Sequence, residues 1–193
     1  MRSDEEYTSI IKERLSEKRF IHSLNVAKSA KELAKLYGAD EKKAYTAGLL
    51  HDIFKDTPAN EQLEYIALND IPLTKTEVSA PKLFHAICGA HFIKHSLEVE
   101  DDEIITAVRY HTTGRANMSL LEKVVFIADF IGEDRDYNGV EIMREKAKKS
   151  LDEAIVEGLS FTIKDLITDA KTVHTDTVDA YNDAIINERK QKL

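Results

Sequence analysis

A histidine followed directly by an aspartate, at the end of an apolar run, constrains this chain more than any other feature. His51 and Asp52 come immediately after residues 48–50, Gly-Leu-Leu, and Lys55 follows three residues later. An aspartate in apolar surroundings is unfavourable unless a positive charge neutralises it. Because the adjacent imidazole offers a second ligand, a divalent metal ion is the simplest source of that charge. We therefore expect a fold that brings further ligands to this pair.

The hydrophobic pattern predicts an all-α fold. Apolar residues recur with a period near 3.6 along most of the sequence, and no segment shows the clear alternation of a half-buried strand. We find no internal repeat, low-complexity segment or linker. These features favour a single domain over residues 1–193, with the motifs in about residues 19–139 and the helices of residues 140–193 packing on them.

Local signals predict where the helices begin and end. Ser-x-x-Glu capping boxes open helices at Ser3 and Ser119, and Gly38 ends the second helix. Thr57, followed by a proline, is expected to cap another. The predicted helices cover about residues 3–15, 18–37, 41–53, 59–68, 74–81, 82–96, 101–110, 119–131, 140–149 and 151 to the C-terminus, with a break near 172–175.

Composition excludes several classes of function. The net charge of −8 and the lack of a long basic run argue against broad binding to nucleic acid. No apolar run approaches the roughly 20 residues of a membrane span, so we expect no membrane association. The acidic N-terminus lacks the apolar region of a signal peptide, and the single Cys88 excludes an intrachain disulfide. We therefore expect a cytoplasmic protein.

Six ionisable residues share the same apolar setting. The four histidines each lie on the inward side of a different predicted helix or at its end, and the two aspartates have equally apolar neighbours. Taken singly, such a histidine is more often a hydrogen-bonded core residue, but six groups in one core without a counter-ion would be very unfavourable. Two ions that share a carboxylate would resolve that cost and leave positions for solvent and substrate. The candidate ligands are His22, His51, Asp52, His85, His111 and Asp129.

Together these motifs resemble the HD-domain phosphohydrolases. One histidine, a His-Asp pair and a distant aspartate match the general pattern, and two added histidines match its two-metal branch. The sequence is most similar to the YqeK-type HD proteins, and the likeness covers about residues 19–139. The segments that carry it are 48–56, 83–86, 110–114 and 127–131.

The resemblance implies an all-helical fold and the hydrolysis of dinucleoside polyphosphates. Diadenosine tetraphosphate would be cleaved symmetrically into two ADP, and iron is the metal commonly associated with the family. Ligands of these types also suit manganese, cobalt or zinc. By position, one ion would be held by His22, His51, Asp52 and Asp129, and the other by Asp52, His85 and His111.

The sequence departs from the family in the loop after the last ligand. The family pattern there is Glu-Pro-x-Arg, whereas this chain has Gly132-Glu133-Asp134-Arg135. The arginine is kept and the proline is missing. The resemblance therefore says less about the shape of this loop than about the ligands.

Residues beside the candidate ligands are expected to bind phosphate or take part in the reaction. Lys55, Arg115 and Arg135 would neutralise the phosphate chain, since arginine suits bidentate contact. For these three cations an ordinary role on the solvated surface stays open. Thr112 and Thr113 would donate to phosphate oxygens, or they only form the turn into the next glycine.

Asp56 is a candidate for general base or for orienting the attacking water, so the predicted catalytic group is Asp52, Lys55 and Asp56. Other polar residues are interpreted without a function. His91 and His95 are read as a solvated or interface pair, and His174 as exposed. The run 144–149 is read as a solvated helix face, and Cys88 as a small core residue.

Three other functions stay open at this point. The chain could be an HD hydrolase of another nucleotide, such as a nucleotide phosphatase or a guanosine polyphosphate hydrolase. It could also be a metal-dependent nucleotide sensor without turnover, or its metal could be structural only. The expected partner is a small nucleotide, and the long amphipathic C-terminal region leaves a homodimer open.

Overall fold

The computed structural model describes residues 2–191, and within that range every regular element is helical. The predicted all-α fold is confirmed. A short 3₁₀ turn, Pro81–Leu83, precedes the sixth α-helix. The helices are α1 Asp4–Arg14, α2 Glu17–Tyr37, α3 Glu41–Leu50, α4 Ala59–Leu68, α5 Lys75–Val78, α6 Phe84–His95, α7 Asp102–Tyr110, α8 Leu120–Ile131, α9 Val140–Lys149, α10 Leu151–Thr168 and α11 Thr175–Gln191.

Most of the predicted helix ends are confirmed. Both halves of the capping box are formed at Ser3, Thr74 and Ser119, so each of these residues accepts from an amide and has its own amide satisfied. Gly38 ends α2 with φ of 77°, a left-handed conformation that glycine adopts without a steric penalty. These local signals fix where α1, α2, α5 and α8 begin or end.

The third helix is shorter than predicted. It ends at Leu50 rather than near Ile53, and residues 51–56 form turns. The Nδ1 atom of His51 lies 2.7 Å from the carbonyl oxygen of Gly48, which is the acceptor that the next helical amide would have used. The histidine side chain thus caps the helix, and the chain turns sharply at Asp52.

The predicted capping role of Thr57 is wrong. Pro58 occupies the N-cap position of α4, and no side chain caps it. The Gln62 side chain instead donates to the carbonyl oxygens of Phe54 at 3.2 Å and Thr57 at 2.6 Å. These two bonds fix the turn between α3 and α4 through a side chain of α4.

Helices α2 and α3 approach so closely that only a glycine fits at their crossing. A Cβ atom on Gly48 would lie 2.9 Å from the Cα atom of Ala27 and 3.1 Å from the carbonyl oxygen of Val26. Both α2 residues are fully buried, and neighbouring positions are also small. Close packing of this kind sets the distance between His22 on α2 and His51 at the end of α3.

Two side chains in the C-terminal half are less exposed than the sequence predicted. His174 is 6% exposed, and its Nδ1 atom accepts from the amide of Asp176 at 3.1 Å. Arg144, expected on a solvated helix face, is half-buried and donates to the carbonyl oxygens of Ile131 and Gly132 at 3.1 and 2.8 Å. It fixes α9 to the end of α8, because those carbonyls have no partner within their own helix.

Within residues 2–191, no helix combines the length and the apolar character needed to cross a bilayer. Cys88 is fully buried, and burial raises the pKa of its thiol to about 12. The thiol is therefore neutral at physiological pH, which agrees with a core residue rather than a nucleophile.

Replacing Gly48 by alanine should destabilise the fold by about 2 kcal/mol or more, because the added methyl meets backbone atoms that do not give way. Gly89→Ala is the matched control in another buried helix, where the new methyl would meet the Ile53 side chain at 3.4 Å. Urea unfolding of both variants measures the difference. Equal stabilities would contradict this account of the α2–α3 crossing.

Candidate metal centre

The six predicted ligands meet around the carboxylate of Asp52, which is 2% exposed. Its Oδ2 atom lies 3.4 Å from Nε2 of His51 and 3.9 Å from Nε2 of His22. Asp129 completes this group, with its Oδ1 atom 3.0 Å from Nε2 of His22. Helices α2, α3 and α8 therefore deliver one set of ligands to one oxygen of Asp52.

The other oxygen of Asp52 faces a second pair of histidines. Its Oδ1 atom lies 3.3 Å from Nε2 of His85, at the start of α6, and 3.5 Å from Nε2 of His111, just after α7. The two Nε2 atoms are 3.1 Å apart. One oxygen for each group is the arrangement that a carboxylate bridging two ions requires.

Backbone carbonyls orient three of the four imidazoles. Each Nδ1 atom lies 2.7 Å from the carbonyl oxygen three residues earlier in the chain. Since a carbonyl only accepts, each ring carries its proton on Nδ1 and directs a lone pair from Nε2 towards Asp52. The pairs are His51 with Gly48, His85 with Lys82, and His111 with Val108.

The fourth imidazole is oriented by a carboxylate. His22 places Nδ1 2.8 Å from Oδ2 of Asp134, whose other oxygen accepts from the Asn25 amide at 3.1 Å. A histidine ligand that gives its second nitrogen to a carboxylate or carbonyl is the usual outer shell of a metal site. All four rings in this cluster have that partner.

The arrangement of these groups fits a cation. When the rings are neutral, Nε2 lone pairs face the carboxylate oxygens, and the Nε2 atoms of His85 and His111 also face each other, so an ion between these groups would be strongly attracted. The Nε2 atom of His51 and the Oδ1 atom of Asp52 are buried with no hydrogen-bond partner among the described residues. Buried polar atoms are rarely left in this state, and divalent ions would satisfy them all together.

The protonation states also suit metal ligands. Burial alone would raise the pKa of Asp52, but the surrounding imidazoles hold it well below its ordinary value. Burial likewise opposes the ionisation of Asp129, and its contacts with His22, His51 and Arg135 outweigh that effect and lower its pKa. Burial lowers the pKa of His85 to about 4. At neutral pH the carboxylates are therefore ionised and His85 is neutral.

Three cations lie at the rim of the cluster. Lys55 places Nζ 3.2 Å from Nε2 of His85 and 3.8 Å from Oδ1 of Asp52. Arg135 forms an ion pair with Asp129 and also donates to its carbonyl oxygen at 2.7 Å. Arg19 lies 2.8 Å from Oδ2 of Asp52, and it was missed from the sequence, although it precedes His22 by one turn of α2. Because Arg19 lies three residues before His22, both are on the same face of α2, and this spacing could have identified Arg19 from the sequence.

The two predicted threonines have different surroundings. The hydroxyl of Thr112 lies 3.1 Å from Nε2 of His111 and 3.4 Å from Nε2 of His85, so it is part of the cluster. Thr113 is buried, and its hydroxyl donates to the carbonyl oxygen of Gly114 at 2.9 Å. Thr113 therefore forms the turn into Gly114, which was the second of the two roles considered for it, rather than binding phosphate.

The structure does not bring Arg115 or Asp56 into the cluster. Arg115 makes two bonds of 2.6 and 2.8 Å to the buried carboxylate of Glu122, which occupies its guanidinium. Asp56 is exposed, and its Oδ2 atom accepts from the amide of Ser16 at 2.8 Å, where α2 begins. Each has a structural partner that lies close in space and that sequence spacing does not reveal.

Asp134 is a functional candidate that the sequence did not single out. It lies in the loop where the chain departs from the family pattern, and loops lack the periodicity that predicts which side chains point inward. A Cβ atom at position 132 would lie 3.0 Å from Oδ1 of Asp134, so Gly132 gives this carboxylate room beside His22.

Three comparisons relate the chain to known proteins. The family model of the HD domain matches residues 19–132. Proteins named symmetrical bis(5'-nucleosyl)-tetraphosphatase from Halalkalibacterium halodurans and Bacillus subtilis are 39% and 38% identical, over 93% and 92% of this chain and 96% and 95% of their own lengths. A crystal structure from Clostridium acetobutylicum, described as an HD superfamily hydrolase involved in NAD metabolism, superposes with a TM-score of 0.93 at 35% identity, covering 97% of this chain and 99% of the other.

The geometry predicts two metal ions per chain. His85→Ala should bind one ion fewer, because it removes a ligand from the group at Oδ1 of Asp52 alone. His95→Ala is the control, since this histidine is exposed and lies at the far end of the same helix. Elemental analysis of purified protein measures the stoichiometry. Two ions retained by His85→Ala would contradict the assignment.

Proposed function

The chain belongs to the HD-domain family, and from that premise we propose that it is a metal-dependent hydrolase of dinucleoside polyphosphates. Its substrate is diadenosine tetraphosphate, cleaved symmetrically into two ADP, as the names of its full-length relatives suggest. The observation that carries the proposal is the buried carboxylate of Asp52, with one group of imidazoles at each oxygen. Such an arrangement would suit two ions and phosphoryl chemistry.

We further propose that the centre holds two ions. One would be held at Oδ2 of Asp52 and the other at Oδ1, in the two groups described above. Iron is proposed from the family resemblance, and the same nitrogen and oxygen donors suit manganese, cobalt or zinc. Such a pair supplies a nucleophilic water at neutral pH and neutralises charge on phosphoryl oxygens.

The chain's own residues would position the phosphate chain. Arg19 and Arg135 lie against Asp52 and Asp129, and once ions neutralise those carboxylates both guanidiniums become free to bind phosphate oxygens. The hydroxyl of Thr112 can donate to the same oxygens. Lys55, whose Nζ atom lies 3.2 Å from Nε2 of His85, would stabilise the charge that develops on the departing ADP.

The reaction is a hydrolysis at an inner phosphate. The water oxygen bonds to one inner phosphorus, and the bond from that phosphorus to the central bridging oxygen breaks. The bridging oxygen leaves with the second ADP, and the attacking water releases a proton to the solvent. Asp56 has no part in this proposal, because its carboxylate accepts from the start of α2.

Two wider expectations stay predictions. A cytoplasmic location is supported by the single cysteine, which suits a reducing compartment. A homodimer through the C-terminal helices is also untested.

A turnover assay on diadenosine tetraphosphate tests the proposal. The wild type with defined metal should release ADP as the sole product, and His51→Ala and His85→Ala should each lose about 1,000-fold or more, since each removes a metal ligand. His95→Ala should be unaffected, and chromatography resolves the products. ATP with AMP would contradict symmetrical cleavage. Nucleotide binding without turnover under any metal would indicate a sensor instead.

The two loop arginines should behave differently. Arg135→Ala should lower kcat/KM by about tenfold or more, because its guanidinium lies at the cluster. Arg115→Ala should leave kcat/KM almost unchanged but cost about 2–4 kcal/mol in stability, because it leaves the buried Glu122 carboxylate without its partner. Steady-state kinetics and urea unfolding separate the two effects. A larger kinetic loss in Arg115→Ala would restore its predicted role in substrate binding.

A further inference from the structure

Two cavities open at opposite ends of the metal centre and share one wall. The smaller, about 220 Å³, is lined by Asp129 and Arg135 together with three aromatic rings. The larger, about 610 Å³, includes Thr112, whose hydroxyl contacts the ligands at the other end of the cluster. Phe161 of α10 lines both cavities. The centre therefore has a space at each of these ends, and a third space of about 450 Å³, lined by Lys55 and His85, opens beside it.

The smaller cavity has the features of a site for a flat ring. Phe130, Tyr137 and Phe161 line it, and Phe161 is 58% exposed. The rings of Tyr137 and Phe161 are tilted by only 27°, with centroids 6.2 Å apart. Stacked bases are about 3.4 Å apart, so a base between two rings needs about twice that distance. A small movement of the exposed Phe161 ring would admit one.

The wall of the smaller cavity includes a residue with an unpartnered polar atom. The hydroxyl of Tyr137 is buried and makes no hydrogen bond to the described residues. This atom is closed off from the space itself, so a bound molecule would reach it only after the Tyr137 ring moves. The cavity as it stands offers three aromatic rings and the guanidinium of Arg135 within one space.

The larger cavity is lined by a buried imidazole whose Nε2 atom is unpartnered but closed off from the space. Because the Nδ1 atom of His174 accepts from the Asp176 amide, its proton lies on Nε2. That Nε2 atom is buried and has no hydrogen-bond partner in the described part of the chain, and the nearest carboxylate oxygen, on Glu77, is 3.9 Å away. Lys82, Lys171 and the carboxylate of Asp165 also line it, and Lys171 forms an ion pair with Asp169. This space is within the usual size of a small-molecule site.

We infer that the two cavities bind the two nucleoside ends of one substrate molecule, with Phe161 as their common wall. This inference rests on the proposed function. A substrate with two identical halves must place its central bond at the metal centre and extend one half to each side. The two cavities begin at Asp129 and at Thr112, which mark the opposite ends of the Asp52-bridged cluster. With one half in each cavity, the central bond would lie at the metal centre, as symmetrical cleavage requires.

Binding stoichiometry tests this inference without turnover. Calorimetry with ADP should give two nucleotides per chain for the metal-loaded wild type, since each cavity holds one product. Phe161→Ala should weaken binding by about tenfold or more, because both sites lose a stacking face. Ile167→Ala is the matched control, being exposed on the same helix and not among the described residues that line either cavity. One ADP per chain in the wild type would overturn the inference.

A kinetic comparison gives a second test. Adenosine 5'-tetraphosphate carries the same four phosphates as diadenosine tetraphosphate but only one nucleoside. The wild type should prefer the two-ended substrate by about tenfold or more in kcat/KM, and Phe161→Ala should lose most of that preference. Retention of the full preference in Phe161→Ala would overturn the inference. Hydrolysis of neither substrate, with two ADP still bound, would refute the proposed function and leave the two nucleotide sites standing.

Discussion

The buried carboxylate of Asp52 is the constraint on which the rest of the structure depends. It has imidazole nitrogens at 3.3 to 3.5 Å on both of its oxygens, and three of those rings present lone pairs rather than protons. Arg19 reaches only one of these oxygens and Lys55 stays 3.8 Å from the other, so this buried anion needs further cations beside it. The helices that meet here thus form a core that is complete when ions are bound. We infer that folding and metal binding are linked in this protein.

The helical scaffold serves that requirement through close packing. Gly48 lets α2 and α3 approach until backbone atoms touch, and the same residue supplies the carbonyl that orients His51. One glycine therefore sets both the helix separation and the direction of a ligand. His85 and His111 are oriented in the same way, each by the carbonyl oxygen three residues earlier in the chain. The orientation of the ligands is a local property of each helix end, and their convergence is a property of the packing.

The sequence predicted the fold and the cluster because their signals are local. Capping boxes and periodicity placed the helices, and polar groups on apolar faces indicated the six candidate ligands that lie together in the structure. Contacts between distant segments were not predictable in this way. Arg115 follows a ligand closely in sequence, yet Glu122 takes its guanidinium, while Asp134 reaches His22 from a loop. The early end of α3 arises from a side chain competing for a backbone acceptor, which propensity does not describe.

Anomalous diffraction from crystals of the metal-loaded protein would test the central claim most directly. Data collected at the absorption edge of the bound metal locate each ion without reference to activity. The account predicts two peaks about 3.5–4 Å apart, one at each oxygen of the Asp52 carboxylate. A single peak, or a second peak away from His85 and His111, would contradict it.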